Sequence, residues 1–411
     1  MELLGCYFEI GDESMVDLSV EFAGVTFKNP VIAASATPTK DSKSMKKAID
    51  AGFGGVVAKS LCGESAAVGR RYPRPRFMLY GWRDYPGYPR RKTKFFTLHS
   101  LEDCSPLDYE GYARDINEAK RLIGEDGVVI ASISGSGIEE WEELCDVVNG
   151  TEADLCEANI SCPFMADLGL RMGAGAVEYA PSIVKFLKKR LAIPLSVKLS
   201  PLVPDLVSIA KGVENSGADA LTLQARLSGL MIDIETAHPL GWGSIGGYGG
   251  PYLIGFGLKC LSDVSPKVRI PISAVLGVWD WKDIISYIMV GAVTVQSATA
   301  VIMRGYNVVK DWLRDITEWM EHKGYDSILE FRGAALKHIV RTKEVERAPT
   351  NLRMRIDEAQ CIGCGECVVS CFYDAIKIRE GKASIDAEKC DVCGLCLEKC
   401  PVGAVRLERT S

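Results

Sequence analysis

The 411-residue sequence predicts an α/β protein: a TIM (β/α)8 barrel followed by a small, cysteine-built C-terminal module. Three observations carry this. Between residues 31 and 299, short apolar, β-branched runs alternate with longer amphipathic stretches, which is the pattern of βα units around a parallel sheet. Small polar or charged residues recur where those runs end, the place where barrel enzymes carry their chemistry. Eight of the 15 cysteines crowd between Cys361 and Cys400, in a stretch too short to build much apolar core.

In chain order the strand runs are Val31 to Ser35, Gly55 to Ser60, Val128 to Ser134, Leu155 to Ser161, Leu195 to Ser200, Ala220 to Ala225, Ile272 to Gly277 and Val293 to Thr299. Helical patterns between them include Ser42 to Ala51, Glu139 to Asn149, Pro181 to Leu191 and Asp280 to Val290, each ending near a turn signal. Their ends supply Ser35, Lys59, Ser134, Asn159, Lys198, Gln224 and Thr299. Strand counting leaves an open doubly wound sheet as a rival, and the polar run ends favour the barrel. Beyond the last strand, Asn307 to Lys323 and Ser327 to Arg341 read as helices. The predicted division is a barrel with its terminal helices over 1–341, a charged linker over 342–355 and the module over 356–411.

Two insertions interrupt the rhythm. The first, Gly69 to Ser100, carries Arg70, Arg71, Arg74, Arg76, Arg83, Arg90, Arg91, Lys92 and Lys94 against one acid, Asp84. It reads either as a cap for an anionic substrate or partner, or as a solvated loop packed by its own aromatics. The second, Gly241 to Gly257, is glycine-rich; such backbone approaches a phosphate or a flat ring closely, or is a plain flexible loop.

Composition narrows the function. Forty-seven per cent hydrophobic residues argue against a disordered chain, and a net charge of −6 gives no global field for nucleic acid or anionic membrane. Met1 to Asp12 lack the basic start and apolar run of a signal peptide. No stretch approaches the ~18 uncharged apolar residues of a membrane span. A cytoplasmic protein is expected.

Cys361-x2-Cys364-x2-Cys367-x3-Cys371 and Cys390-x2-Cys393-x2-Cys396-x3-Cys400-Pro401 are two copies of the bacterial ferredoxin run. In that arrangement three close thiolates bind one 4Fe-4S cubane and the fourth reaches the other cluster. One cluster would take Cys361, Cys364, Cys367 and Cys400, the other Cys390, Cys393, Cys396 and Cys371. A zinc ribbon needs only paired CxxC units and leaves the third and fourth members of each run without a reason for their spacing. Phe372 stands where the first run would carry proline. Paired clusters relay single electrons, so the barrel should hold a group that converts them to pairs; flavin is the common converter.

Here a resemblance enters. Asn29-Pro30-Val31-Ile32-Ala33-Ala34-Ser35, Lys59-Ser60, Asn159-Ile160-Ser161-Cys162-Pro163 and Lys198-Leu199-Ser200-Pro201 resemble the FMN barrel of dihydroorotate dehydrogenases. With the tail, the layout resembles the FMN and iron-sulfur subunits of bacterial NAD-dependent dihydropyrimidine dehydrogenases, over roughly residues 17–405. The resemblance implies that Ala34, Ser35, Lys59 and Ser60 contact the isoalloxazine and that Lys198 faces its N1 and O2 edge. Gly250, Gly277, Thr299 and Ala300 match positions holding the ribityl phosphate. Asn159, Ser161 and Gln224 fall at substrate positions, Cys162 at the general acid/base that exchanges a proton with a carbon of an activated C=C bond, and Met165 to Ala176 at a mobile lid. By residue type alone, Cys162 also reads as a buried small hydrophobe. Cys62 is a rival acid, and Cys104, Cys145, Cys156 and Cys260 read as packing residues.

The sequence departs from the family at Phe164, where a polar residue usually follows Ser-Cys-Pro. Gln224-Ala225 replaces Asn-Thr or Asn-Ser, and Leu276-Gly277 replaces Gly-Gly. These changes leave the substrate open: a pyrimidine, orotate, or another activated C=C compound. An electron carrier without catalysis is the reading from a different class. No Gly-x-Gly-x-x-Gly follows a strand, so an NAD(P)H-oxidising flavoprotein subunit or a ferredoxin is expected as electron donor, in an oligomeric assembly.

Overall fold

The computed structural model describes residues 16–63, 76–80, 96–101, 104–161, 179–239, 245–345 and 351–409. Internal contacts divide the chain into two units, Met1–His338 and Ile339–Ser411.

In the first unit eight parallel strands form a ring: β1 (Val31–Ala33), β2 (Gly55–Val57), β3 (Val128–Ser134), β4 (Leu155–Ile160), β5 (Leu195–Leu199), β6 (Ala220–Leu223), β7 (Ile272–Val275) and β8 (Thr294–Ser297). Sequential strands pair, β8 pairs back onto β1, and Gly55↔Val128 between β2 and β3 completes the circuit. The sheet is therefore a closed barrel and not the open alternative. Each predicted run contains one strand; Ser35, Lys59 and Gln224 fall just past it, Ser134, Asn159 and Lys198 sit in its last residues, and Thr299 opens a short helix. A two-residue strand, Leu61–Cys62, runs on from the β2 end and pairs with the end of β3.

Outside lie α1 (Ser42–Ala51), α2 (Tyr109–Ile123), α3 (Ile138–Asn149), α4 (Ala180–Leu187), α5 (Leu206–Asn215), α6 (Ile254–Val264), α7 (Trp281–Met289) and α8 (Val308–Lys323). Asp41, Asp108, Asp205 and Asp280 start α1, α2, α5 and α7 by accepting from backbone amides of the first turn, worth about 1 kcal/mol each. In α2 the buried residues Tyr112, Ile116, Ala119 and Ile123 form one helical stripe against the sheet.

The segment Ser327 to Arg341 is not the predicted helix. Gly333 has φ +74°, and the Gly333 and Ala335 amides donate to Ile288 and Met289 carbonyls at the end of α7. Tertiary bonds thus replace the helical ladder, and only a 3-10 turn, Leu336–His338, remains. The glycine-rich insertion is no plain loop either: Gly246–Gly249 is a strand in an antiparallel sheet with Leu227–Gly229, Thr97–Ser100 and Phe77–Tyr80.

Inside the barrel the filling is partly polar. Ser132, Glu157, Ser196, Thr222, Ser273, Thr294 and Gln296 are all buried. Glu157 accepts from Thr222 Oγ1 and Gln296 Nε2, both at 3.0 Å. A carboxylate at such depth is costly unless paired and hydrogen-bonded.

In the second unit Leu352–Ile356 pairs with Val405–Arg409, and Ile376–Arg379 with Lys382–Ile385, both antiparallel. The first strand begins inside the stretch read as linker. Glu380 and Gly381 both take positive φ, the two-residue turn that suits a tight hairpin. Met354, Ile376, Ala383, Ala404 and Val405 pack with the cysteines in a core of little else.

Candidate functional site

A cleft opens beyond the strand ends, at the face where barrel enzymes carry their chemistry. Ala34, Ser35, Lys59, Ser60, Asn159, Ser161, Lys198, Gln224, Gly250, Gly277 and Thr299 all line it. Ala300 does not; it is buried behind Thr299 in the short helix Thr299–Arg304. Cys162, Phe164 and the expected lid lie outside the described residues, as does most of the basic insertion.

Hydroxyls and amides form a connected floor. The Ser60 amide donates to Ser35 Oγ at 3.1 Å, Ser60 Oγ lies 2.8 Å from Ser132 Oγ, and Asn159 Nδ2 donates to Ser60 Oγ at 3.1 Å. Asn159 Oδ1 accepts from Ser161 Oγ at 2.6 Å and from the Ser161 amide at 3.2 Å. This fixes the orientation of Asn159 and of the chain that leads to Cys162. Gln224 differs: it is 1% exposed, and among the described residues its amide meets no nitrogen or oxygen partner, only the Cys260 thiol. Among the same residues Gln296 Oε1 has no partner.

Among the described lining residues the charged ones are Lys59, Lys198 and Arg226, all cationic. Lys198 is paired from below with Glu157, Nζ to Oε1 3.4 Å. Arg226, two residues past Gln224, donates from Nη1 to Ser100 Oγ. Glycines make room for this group: a Cβ on Gly247 would run into the Arg226 side chain, and one on Gly246 into the His99 ring. Burial first, then the Arg226 charge, hold the His99 imidazole below its ordinary value.

At the other end Gly277 has φ +76°, and a Cβ there would lie 2.7 Å from Ile254 Cα at the start of α6. Its neighbour Leu276 has φ +105°, a conformation that is strained for leucine, and its carbonyl accepts from Tyr287 Oη at 2.6 Å. Close-packed glycine backbone at a helix start suits a phosphate, and buried cations with unsatisfied amides suit the polar edge of a flavin. The residues present fit FMN.

In the second unit, one hollow is walled by Cys361, Cys364, Cys367 and Cys400, and another by Cys371, Cys390, Cys393 and Cys396. Each set of four thiols lines one common hollow, the arrangement that four thiolates around a cubane require. The Ala383 and Ala404 amides donate to Cys361 and Cys400 Sγ. Burial pushes the Cys400 thiol up, but backbone amides from Val402 to Val405 outweigh it and bring the thiol below its ordinary value. That favours a thiolate ligand.

Sequence reading missed Glu157, Gln296, Arg226, His99 and Ser100. The first two carried a signal, as polar residues inside apolar strand runs. Arg226 carried another, as a cation two positions beyond a strand end. Cys62 and Cys104, read as a rival acid and a packing residue, are bonded to each other.

Comparison with known proteins agrees with this geometry. A family model described as dihydroorotate dehydrogenase matches residues 108–320, and one described as a 4Fe-4S dicluster domain matches residues 354–407. The NAD-dependent dihydropyrimidine dehydrogenase subunit PreA of Escherichia coli K12 is 29% identical over 367 residues, covering 87% of this chain and 85% of the relative. Catalytic subunits of dihydroorotate dehydrogenase B (NAD(+)) from Petrotoga mobilis and Thermococcus kodakarensis are 32% and 30% identical, covering 78% and 79% of this chain and 99% and 100% of those proteins. No helix among the described residues is long and apolar enough to cross a membrane. The chain belongs to the dihydroorotate dehydrogenase family of FMN oxidoreductases, with a 4Fe-4S dicluster domain fused behind the barrel.

Proposed function

We propose that this chain is the catalytic subunit of a dihydropyrimidine dehydrogenase-like enzyme that interconverts a C=C bond and its CH–CH form within a cyclic amide. The observation that carries the substrate class is Gln224. A buried amide that meets no nitrogen or oxygen partner among the described residues, only a weakly bonding thiol, is costly to leave so, and a ring edge presenting N–H beside C=O would satisfy its donor and acceptor at once. Asn159, already oriented by Ser60 and Ser161, supplies a second amide on the same cleft.

FMN, when bound, supplies hydride transfer and turns the single electrons of the clusters into a pair. Lys198, which lines the cleft, would face its N1 and O2 edge. Ala34, Ser35, Lys59 and Ser60 would line its ring, and Gly250, Gly277 and Thr299, with Ala300 packed behind Thr299, would hold its phosphate. Cys162 exchanges the proton at the carbon next to the hydride acceptor; a thiol with an ordinary pKa of ~8.5 is mostly protonated yet ionises near neutrality. The eight tail thiolates hold the two clusters, and an NAD(P)H-oxidising flavoprotein subunit or a ferredoxin feeds them in a cytoplasmic, oligomeric assembly.

A second reading, a substrate bearing a carboxylate as dihydroorotate does, is favoured by Arg226, whose guanidinium lines the same cleft as Gln224. The test is anaerobic reduction of uracil, thymine and orotate by reduced viologen with the holo-protein and with Cys162→Ala. The proposal expects turnover of a pyrimidine and a loss of ~10²- to 10⁴-fold in the variant. Equal rates for both proteins, or no reduction of any ring, would overturn it.

A further inference from the structure

Two cysteines that neither the clusters nor the proton transfer use meet on the wall of the cleft. Cys62 ends the short strand that follows Lys59 and Ser60, and its Cα lies 5.8 Å from that of Cys104, 42 residues further on, with the sulfurs bonded. The Cα separation lies within the ~4.4–6.8 Å that a disulfide spans without backbone movement. Cys62 is buried, whereas Cys104 is partly exposed and lines the cleft. The same two segments are fastened once more: the Ser105 amide donates to the Ser60 carbonyl at 2.7 Å.

The remaining described cysteines of the barrel offer no such chemistry. Burial pushes Cys145 up to about 12, lifts Cys156 well above its ordinary value and raises Cys260. Such thiols stay protonated and inert. Among the described cysteines, the Cys62–Cys104 pair combines two adjacent sulfurs with an approach from the cleft.

The tail sets the chemical surroundings. Eight thiols must stay reduced until iron takes them, so the chain matures where small thiols are in excess, and there a disulfide stands in exchange with the thiol pool instead of serving as a passive staple. We propose that Cys62 and Cys104 form a reversible, redox-active disulfide in the flavin cleft, whose reaction partners are low-molecular-weight thiols and disulfides. A thiolate entering the cleft bonds to Cys104 Sγ, the S–S bond breaks, and Cys62 leaves as thiolate and takes a proton. A second small thiol then displaces Cys104, which is released as a thiol. The protein disulfide and two small thiols become two protein thiols and one small disulfide, with two electrons passing to the protein. Oxidised, the pair locks the segment around Cys104 to the strand end that carries Lys59 and Ser60. Reduced, the Ser105 to Ser60 hydrogen bond holds it, and the wall loosens on the substrate side.

The experiment uses the full-length holo-protein under anaerobic conditions, equilibrated with reduced and oxidised glutathione at a series of ratios and then with excess dithiothreitol. Free thiols are trapped by alkylation and the peptides bearing Cys62 and Cys104 are read by mass spectrometry. The two sites are expected to pass together from linked to alkylated along one two-electron curve, with hydrogen exchange in residues 96–101 faster in the reduced form. Cys145, Cys156 and Cys260 should not change. A pair that stays linked under dithiothreitol, or stays as two thiols at the most oxidising ratio, overturns the proposal. Wild-type protein suffices. In Cys62→Ser, Cys104 should instead carry glutathione at oxidising ratios, and a Cys104 that never does so also counts against it.

Discussion

Lys198 and Glu157 meet across neighbouring strands β5 and β4, with Nζ 3.4 Å from Oε1, at 7% and 1% residue exposure. The pair places a carboxylate directly beneath the cation assigned to the flavin edge. Removing one partner of a buried pair costs ~3–5 kcal/mol, and Glu157→Gln, which keeps a hydrogen-bonding end, should lie near the lower bound in the flavin-free protein. With its counter-charge gone, Lys198 acts unopposed on the negative charge that reduced flavin carries. The two-electron flavin potential should therefore rise, by roughly 30 mV for each ~1.4 kcal/mol gained. Spectroelectrochemical titration checks this, and an unchanged or lower potential would show that Lys198 does not face the flavin.

Gly277 tests the phosphate end. At φ +76° an alanine is strained, and its Cβ would press on the backbone of Leu253 and Ile254 where α6 begins. The left-handed conformation alone costs ~1–2 kcal/mol, so Gly277→Ala should retain the barrel but shift the cleft wall. Flavin retention through gel filtration should fall sharply while the far-ultraviolet circular dichroism spectrum stays. Full retention would place the phosphate elsewhere.

These two sites differ in how far the sequence revealed them. The barrel was legible because each strand run is mainly apolar and its chemistry-bearing ends are polar, so Asn159, Lys198 and Gln224 stand out in the sequence alone. The cluster hollows were the most legible feature, since short cysteine spacings are local. What stayed hidden arises from contacts distant in sequence. Glu157 finds Lys198, Thr222 and Gln296 only once the barrel closes. The sheet that seats Arg226 over Gly247 joins four segments between residues 77 and 249. Cys62 and Cys104 are 42 residues apart. Ser327 to Arg341 misled because its periodicity is helical while its amides bond to the end of α7.

His99 gives the barrel a pH signature. It is fully buried beside Arg226, and burial and then that charge depress its pKa from the usual ~6.5. A depressed imidazole binds fewer protons in the native state than in the unfolded one. Its contribution to stability is thus present above pH ~6.5 and is lost as pH falls towards and through the folded value. His99→Gln should flatten the fall in thermal midpoint between about pH 7 and about pH 5. Parallel curves for the two proteins would mean that His99 binds its proton equally well in the folded and the unfolded chain.

Cys400 distinguishes crossed from uncrossed cluster ligation. It follows Cys390, Cys393 and Cys396 in the chain, yet, as the crossed ferredoxin pattern predicts, it lines the hollow of Cys361, Cys364 and Cys367. Its amide environment, with Ala404 donating to Sγ at 3.1 Å, stabilises negative charge on that sulfur. Cys400→Ser should therefore damage the same cluster as Cys361→Ser, with each variant losing up to half of the iron and the same set of signals in the electron paramagnetic resonance spectrum of the reduced protein. Cys371→Ser should match Cys390→Ser instead. If Cys400→Ser and Cys390→Ser extinguished one cluster together, each run would hold its own cluster and the crossed assignment would fail.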